Sequence, residues 1–195
     1  MNAALETLAQ AAARLVVDDG LEYGAAKRKA ARDLERRGGR RGDLPSNEAV
    51  EDEVREYLAL FQADTQPAEL EALRRLALGW MERLTEFRPH LSGAVWRGTA
   101  TRRSMIHIEL YCDDPKSAEI GLLDRSIRFE AVGQPDRPDL LRVEAPCREL
   151  GESVSLFLHV LDRDDLRGGL KPDTRGRTWR GDAPALQRLM QAAAP

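Results

Sequence analysis

The chain has 195 residues, of which 42% are hydrophobic and 32% are charged, and its formal net charge is −3. This length and apolar fraction suit one large domain or two small ones with a buried core, and they argue against a disordered or fibrous protein. The small negative net charge argues against wholesale electrostatic capture of nucleic acid. Because no run approaches the roughly eighteen apolar residues of a membrane span and the N-terminus lacks a signal-peptide pattern, we expect a cytoplasmic protein with no membrane partner.

The first half of the chain is predicted to be helical. Apolar residues with helical spacing indicate an amphipathic helix over residues 2–17, and a second helix, rich in alanine and arginine, over residues 24–37. Gly38 follows the second helix and stops it. Ser46 can cap a third helix whose first turns are acidic, and Pro67 suits the first turn of a fourth helix with a continuous apolar stripe.

Charge is segregated around the second helix. Residues 21–41 hold eight Lys and Arg against three Asp and Glu, whereas residues 43–56 hold six acids against one arginine. The simplest interpretation is that these two segments face each other or the solvent, so that nucleic acid does not bind at moderate salt. The alternative is phosphate or RNA contact within residues 27–41, through a set of basic side chains: Lys27, Arg28, Lys29, Arg32, Arg36 and Arg37.

After Pro89 the apolar period changes from about 3.6 residues to 2. A short strand is predicted over residues 91–95, and a strongly alternating strand over residues 105–111. The polar face of the second strand carries Met105, His107, Glu109 and Tyr111. A short helix, three strands and a last helix follow, over residues 116–123, 126–132, 140–144, 153–161 and 184–193. The sequence therefore predicts an α+β fold, with an N-terminal helical region over residues 1–88 and a mixed β-sheet domain with helices on one face over residues 89–195.

Residues 91–112 carry a motif that resembles the nucleotidyltransferases of the polymerase-β-like superfamily. In that family a strand ends in Gly-Ser, a connection with an Arg-Gly-Thr-Ala-like helix start follows, and the next strand carries Asp-hydrophobic-Asp on its polar face. Gly93 and Ala94 stand at the Gly-Ser position, and the connection matches the pattern at Arg97, Gly98, Thr99, Ala100 and Ser104. The resemblance covers residues 89 to about 161 and implies a nucleotidyltransferase-like domain.

The glycine turn in this motif is a candidate phosphate site, because backbone N–H groups that open onto a helix start can bind an anion. The predicted nucleotide-binding residues are Gly93, Arg97, Gly98, Thr99 and Ser104. An ordinary strand-to-helix turn is the alternative. Four basic residues of the following loop are further candidates for reaching an anionic ligand over the sheet, with a solvated loop as the alternative: Lys171, Arg175, Arg177 and Arg180.

The resemblance places the two aspartates of the family at Met105 and His107, and neither residue is a carboxylate. Mg²⁺ prefers carboxylate oxygen, whereas a thioether is a poor ligand and imidazole suits softer ions. Glu109 lies on the same face, and the resemblance carries the third carboxylate of the family over to Glu130. Glu109 and Glu130 are thus the candidate catalytic residues, and together with His107 the candidate ligands of a softer Mn²⁺ or Zn²⁺ site. A solvated glutamate is the alternative at each position, and we expect Mg²⁺ or Mn²⁺ to bind only weakly.

The other histidines and the two cysteines are predicted to be structural. His90 precedes the first strand, and His159 lies within an apolar run. Cys112 and Cys147 lack metal-ligand spacing, so we predict two buried free thiols.

Taken with the resemblance, the sequence favours a nucleotidyltransferase-like protein with a degenerate metal site that binds a nucleotide or another phosphate ligand, or regulates through it. One alternative is an active, atypical metal-dependent nucleotidyltransferase that uses Glu109 and Glu130. Another is a helical protein-interaction module with a structural β domain. Nucleotide binding separates the first two hypotheses from the third, and metal-dependent turnover separates the first from the second.

Overall fold

The computed structural model describes residues 3–36, 38, 43–133, 139–166 and 176–192. The helices are α1 (Ala3–Asp19), α2 (Tyr23–Arg36), α3 (Asn47–Phe61), α4 (Gln66–Arg83), α5 (Gly93–Arg97), α6 (Pro115–Asp124) and α7 (Ala183–Ala192). The strands are β1 (His90–Ser92), β2 (Ile106–Cys112), β3 (Glu130–Ala131), β4 (Leu140–Cys147), β5 (Glu152–Asp162) and β6 (Arg180–Asp182). The predicted α+β fold with an N-terminal helical region is confirmed.

The chain forms two compact units. The first comprises Met1–Glu69 with Thr99–Ser104, and the second comprises Leu70–Gly98 with Met105–Pro195. The boundary between the units falls in the first turn of α4, whereas the boundary drawn from the sequence follows that helix, at residue 88.

In the first unit, α1 packs against both α2 and α3. Its core consists of small and aliphatic side chains, contributed by Leu8, Ala9, Ala12, Ala13, Val16, Val17, Ala26, Ala30, Val50, Val54 and Leu58. As predicted, Ser46 caps α3, with its hydroxyl oxygen accepting a hydrogen bond from the Ala49 N–H at 3.1 Å. Residues 99–104 join this unit through contacts such as Arg103 Nη1 to the Asp18 carbonyl oxygen, at 2.6 Å.

In the second unit, the described strands form one mixed sheet in the order β3-β4-β5-β2-β1-β6. β2 and β5 are parallel, and the other neighbouring pairs are antiparallel. The apolar face of β2 pairs in register with the apolar face of β5, and both are buried: Ile106, Ile108 and Leu110 lie beside Leu156, Leu158 and Val160. α6 packs against β2 and β5, and α7 against β1 and β6.

The apolar stripe predicted for α4 is buried, with Leu73, Ala77 and Met81 fully excluded from solvent. Cys112 and Cys147 are buried and free, as predicted. Both results follow from local rules, since helical spacing of apolar residues and strand ends without partner cysteines are visible in the sequence.

Three strand predictions are corrected. The predicted strand over residues 126–132 shrinks to the two residues of β3, because Ser126 takes a positive φ of 55° and Ile127 N–H bonds to the Leu122 carbonyl at 2.9 Å, which closes α6. The first predicted strand, over residues 91–95, ends at Ser92, and α5 begins at Gly93. β6 lies in the tail that was predicted to be a loop, because its three residues are too few to show a period.

Candidate functional site

The side of the sheet opposite its apolar core carries polar side chains. Strand register places one row across four strands at Arg180, Ser92, His107 and Phe157, and a second row at Asp182, His90, Glu109 and His159. Because side chains alternate along a strand, all of these project to the same face. We call this surface the polar sheet face.

Two histidines meet on the polar sheet face. His107 Nδ1 lies 2.9 Å from His159 Nε2, and the ring of His107 stacks on Phe157 with centroids 5.5 Å apart. Both imidazoles are half-buried. A hydrogen bond between two imidazole nitrogens needs one N–H donor and one free lone pair, so at least one ring of this pair is neutral. The two rings are therefore coupled, because the tautomer of one decides whether the other donates or accepts in this bond.

A network of a carboxylate, a phenol and a guanidinium lies beside the histidines. Arg180 Nη1 lies 2.5 Å from both Glu109 Oε2 and the Tyr111 hydroxyl, which itself donates to Glu109 Oε2 at 2.6 Å. The side chains of Arg180 and Glu109 are only 23% and 13% exposed. Burial raises the pKa of Tyr111, the Glu109 carboxylate raises that pKa further, and Arg180 opposes both. Tyr111 therefore stays a neutral donor at ordinary pH.

The predicted glycine turn reaches the histidine pair. Gly93 has a φ of +70°, and a Cβ atom at this position would lie 3.4 Å from His107 Cδ2. The backbone of the turn thus stands against the ring that occupies the second aspartate position of the resembling family. Gly98 instead ends α5 in a left-handed conformation, with a φ of 81°.

Arg97 serves the structure of the second unit. It is 8% exposed, donates from Nη1 to the Thr178 carbonyl oxygen at 3.2 Å, and stacks over the Trp179 ring at 4.3 Å. Trp96 Nε1 donates to the same carbonyl oxygen at 2.9 Å. These contacts hold the segment that leads into β6, and so they help to place Arg180 on the polar sheet face.

Thr99 and Ser104 lie in the first unit. Thr99 is buried, with its hydroxyl oxygen 3.3 Å from the Tyr23 hydroxyl. Ser104 Oγ accepts from the Thr101 N–H at 3.0 Å and closes the loop locally. Of the five residues predicted to bind a nucleotide, Gly93 is therefore the one that the structure places against His107.

Glu130 is not beside His107 and Glu109. β3 is the edge strand, and β4 and β5 separate it from β2, so that three strand spacings put Glu130 about 14 Å away across the sheet. Its carboxylate, 61% exposed, pairs with Arg142 at 2.5 Å. Within the described residues, no group of three or more His, Cys, Asp or Glu side chains is placed to hold a metal ion. The prediction assumed that the strand following α6 lies beside β2, but β5 takes that place.

The sequence predicts a structural role for His159 and a loop around Arg180, whereas the structure places both side chains on the polar sheet face. His159 lies between the buried residues Leu158 and Val160, and this alternation indicates that its side chain points away from the core. Its partner on β2 was not visible, because the pairing of two strands about fifty residues apart is a tertiary property. Of the other loop residues proposed to reach a ligand, Arg177 is half-buried just before β6, and Lys171 and Arg175 lie outside the described residues.

No protein-family model, curated protein or solved structure matches this chain. In the part of the chain that the structure describes, no helix is long and apolar enough to cross a membrane.

Proposed function

We propose that this chain is a nucleotidyltransferase-like protein with a degenerate metal site, which binds a nucleotide or another phosphate ligand on the polar sheet face. The observation that carries the proposal is the closeness of Gly93 to His107, whose Cδ2 atom would lie 3.4 Å from a Cβ atom at Gly93. The resembling family holds its phosphate-binding glycine beside the strand that carries its two aspartates. Here β1, α5 and β2 bring the corresponding positions together, with histidine in place of the second carboxylate.

The chemistry of the face suits a phosphate group. His107 and His159 carry imidazole nitrogens on neighbouring strands, and an imidazole N–H can donate a hydrogen bond to a phosphate oxygen. Arg180 is held on this face by Glu109 and Tyr111, and its buried Nε has no hydrogen-bond partner among the described residues. Phosphate oxygens accept from such donors in charge-assisted hydrogen bonds.

The same geometry disfavours metal-dependent transfer. One oxygen of Glu109 already accepts from Tyr111 and Arg180, and Glu130 lies three strands away. Since Mg²⁺ needs several oxygen ligands at about 2.1 Å, these two carboxylates cannot share one ion. We therefore favour a binding or regulatory role over the atypical enzyme that would use Glu109 and Glu130.

Isothermal titration with ATP and with pyrophosphate, each without metal, tests the proposal. The wild type should bind, and the double variant His107→Ala with His159→Ala should bind at least about tenfold more weakly, because charge-assisted hydrogen bonds are lost. Arg148→Gln, which removes one positive charge from an exposed turn, is the matched control and should bind like the wild type.

Two results would replace the proposal. If neither ligand binds the wild type at millimolar concentration, the helical interaction module becomes the better hypothesis. If the wild type transfers a nucleotidyl group with Mg²⁺ or Mn²⁺, and Glu109→Gln abolishes the transfer, the atypical enzyme does.

A separate experiment tests which face of β2 carries the side chains at positions 105 and 107. Met105→Asp combined with His107→Asp should place two carboxylates on the side of β2 that carries Glu109, because alternate residues share a face. Titration with Mn²⁺ should then show tighter binding than in the wild type. Equal affinities would contradict the inferred orientation of Met105.

A further inference from the structure

Three arginines form a row along α2, each turned about 40° around the helix axis from the one before. Arg28, Arg32 and Arg36 follow each other at four-residue spacing, and all three are exposed. Each step of four residues advances about 6 Å along a helix, so the row is about 12 Å long. Ala26 and Ala30, which are buried in the core of the first unit, lie two residues away, or about 200° around the helix. The arginine row therefore points away from the core.

The lysines next to the arginine row make hydrogen bonds or ion pairs, whereas two arginines of the row make none with the described residues. Lys27 Nζ donates to the Pro45 carbonyl oxygen at 3.0 Å and to Asn47 Oδ1 at 2.8 Å, and Lys29 pairs with Asp19 at 2.8 Å. Within the described residues, Arg28 and Arg32 have no ion pair or hydrogen bond. Arg36 lies 3.6 Å from Asp33, but its side chain is 81% exposed, so water screens that contact.

Two acidic residues of α3, Glu51 and Glu53, do not pair with the arginine row. Glu51 is buried and pairs within its own helix, with Arg55 at 2.8 Å. The pKa of Glu53 is raised, first by burial and then by the negative charges of Glu56 and Glu6. Glu53 therefore faces other acids, on α3 itself and on α1, which packs against both α2 and α3.

We propose that the arginine row binds the phosphate backbone of nucleic acid, independently of base sequence. Successive phosphates of one strand rise by about 3.4 Å, so a row of about 12 Å spans three to four of them. Guanidinium groups bind phosphate oxygens in bidentate pairs. Tyr23 is the one aromatic residue of α2, and its hydroxyl contacts Thr99 within the first unit. With no aromatic ring in the row to stack on bases, the contacts are confined to the backbone.

An anionic membrane is the less suitable partner for α2. A helix that lies in a membrane surface inserts bulky apolar side chains. The apolar face of α2 instead consists of Ala26 and Ala30, which are buried in the first unit, and of Leu34, which is half-buried. This site is also distinct from the polar sheet face, which belongs to the second unit.

Fluorescence anisotropy with a labelled single-stranded RNA and a labelled duplex DNA, each of about 20 nucleotides or base pairs, tests the row between 50 and 200 mM salt. Three phosphate contacts predict a slope of log affinity against log salt of about −2.7 on the duplex and about −2.1 on the single strand. Affinity should thus fall about 40-fold and about 20-fold, respectively, over that range. Each single change, Arg28→Gln, Arg32→Gln or Arg36→Gln, should make the duplex slope shallower by about 0.9.

The triple glutamine variant of the row should lose binding at 50 mM salt. A control triple variant, Arg75→Gln with Arg148→Gln and Arg188→Gln, removes the same charge from exposed positions of the second unit and should keep the wild-type affinity. Circular dichroism checks folding, and the single variants decide the matter if the triple variant unfolds.

Four outcomes would overturn the proposal. The first is that the wild type binds neither nucleic acid at 50 mM salt, and the second is that the control triple variant loses as much affinity as the triple glutamine variant. The third is that the double variant His107→Ala with His159→Ala loses as much affinity, and the fourth is that the protein binds anionic vesicles but not nucleic acid. The third outcome would move the phosphate contact to the polar sheet face. The fourth would identify a membrane surface as the partner.

Discussion

Two ion pairs in the sheet differ chiefly in burial, and this difference predicts unequal stability losses. Glu109 and Arg180 pair at 2.5 Å with side chains 13% and 23% exposed, whereas Glu130 and Arg142 pair at the same distance with side chains 61% and 41% exposed. Removing one partner of a fully buried pair costs about 3–5 kcal/mol, because the other charge remains uncompensated. With the partial exposure of Arg180 taken into account, Glu109→Gln should cost about 2–3 kcal/mol. Glu130→Gln should cost less than about 1 kcal/mol.

Urea unfolding followed by tryptophan fluorescence measures these losses in the right part of the chain, since Trp80, Trp96 and Trp179 all lie in the second unit. A cost of about 2–3 kcal/mol lowers the midpoint by about 1 M when the m-value is about 2–3 kcal/mol/M. Adding Arg180→Met to Glu109→Gln should recover part of the loss, because no unpaired charge is then left. Equal costs for Glu109→Gln and Glu130→Gln, within about 0.5 kcal/mol, would refute the reasoning.

Three further predictions concern the core and the network. Trp80→Ala removes a buried ring from α4 and should cost about 3–5 kcal/mol in the same titration; a loss below about 1 kcal/mol would place the core elsewhere. Gly79→Ala places no atom within 4 Å of the new Cβ and should stabilise α4 by about 0.5–1 kcal/mol. Gly181→Ala drives its Cβ into the Trp96 ring and should cost about 1–3 kcal/mol of stability. Thermal midpoints measure both changes, and the opposite order of stability would contradict the packing. Because folding raises the pKa of Tyr111, its protonated phenol stabilises the folded protein fully below about pH 10, and this contribution declines at higher pH. Tyr111 should therefore form no tyrosinate below about pH 11, and Tyr111→Phe should leave the tyrosinate absorbance that develops below that pH unchanged.

The sequence by itself determined the elements whose patterns are local. The alternation of apolar and polar residues in β2 predicted which face His107 and Glu109 share, because successive side chains of a strand point to opposite sides. The helical spacing through α4 predicted its buried stripe, and Ser46 predicted the start of α3. The change of period after Pro89 was enough to predict the α+β class.

The tertiary structure decided which of these elements meet. β5 pairs with β2 because its apolar face completes the same core. This pairing places His159 next to His107 and leaves Glu130 on the edge strand β3. β6 forms because its partner β1 and the Trp96 ring hold it, although its own three residues carry no period. The spacing of apolar residues along a helix or strand predicts which of its sides is apolar. The choice of neighbour is made by the burial of the whole sheet, and for that reason the histidine pair and the position of Arg180 became visible only in the fold.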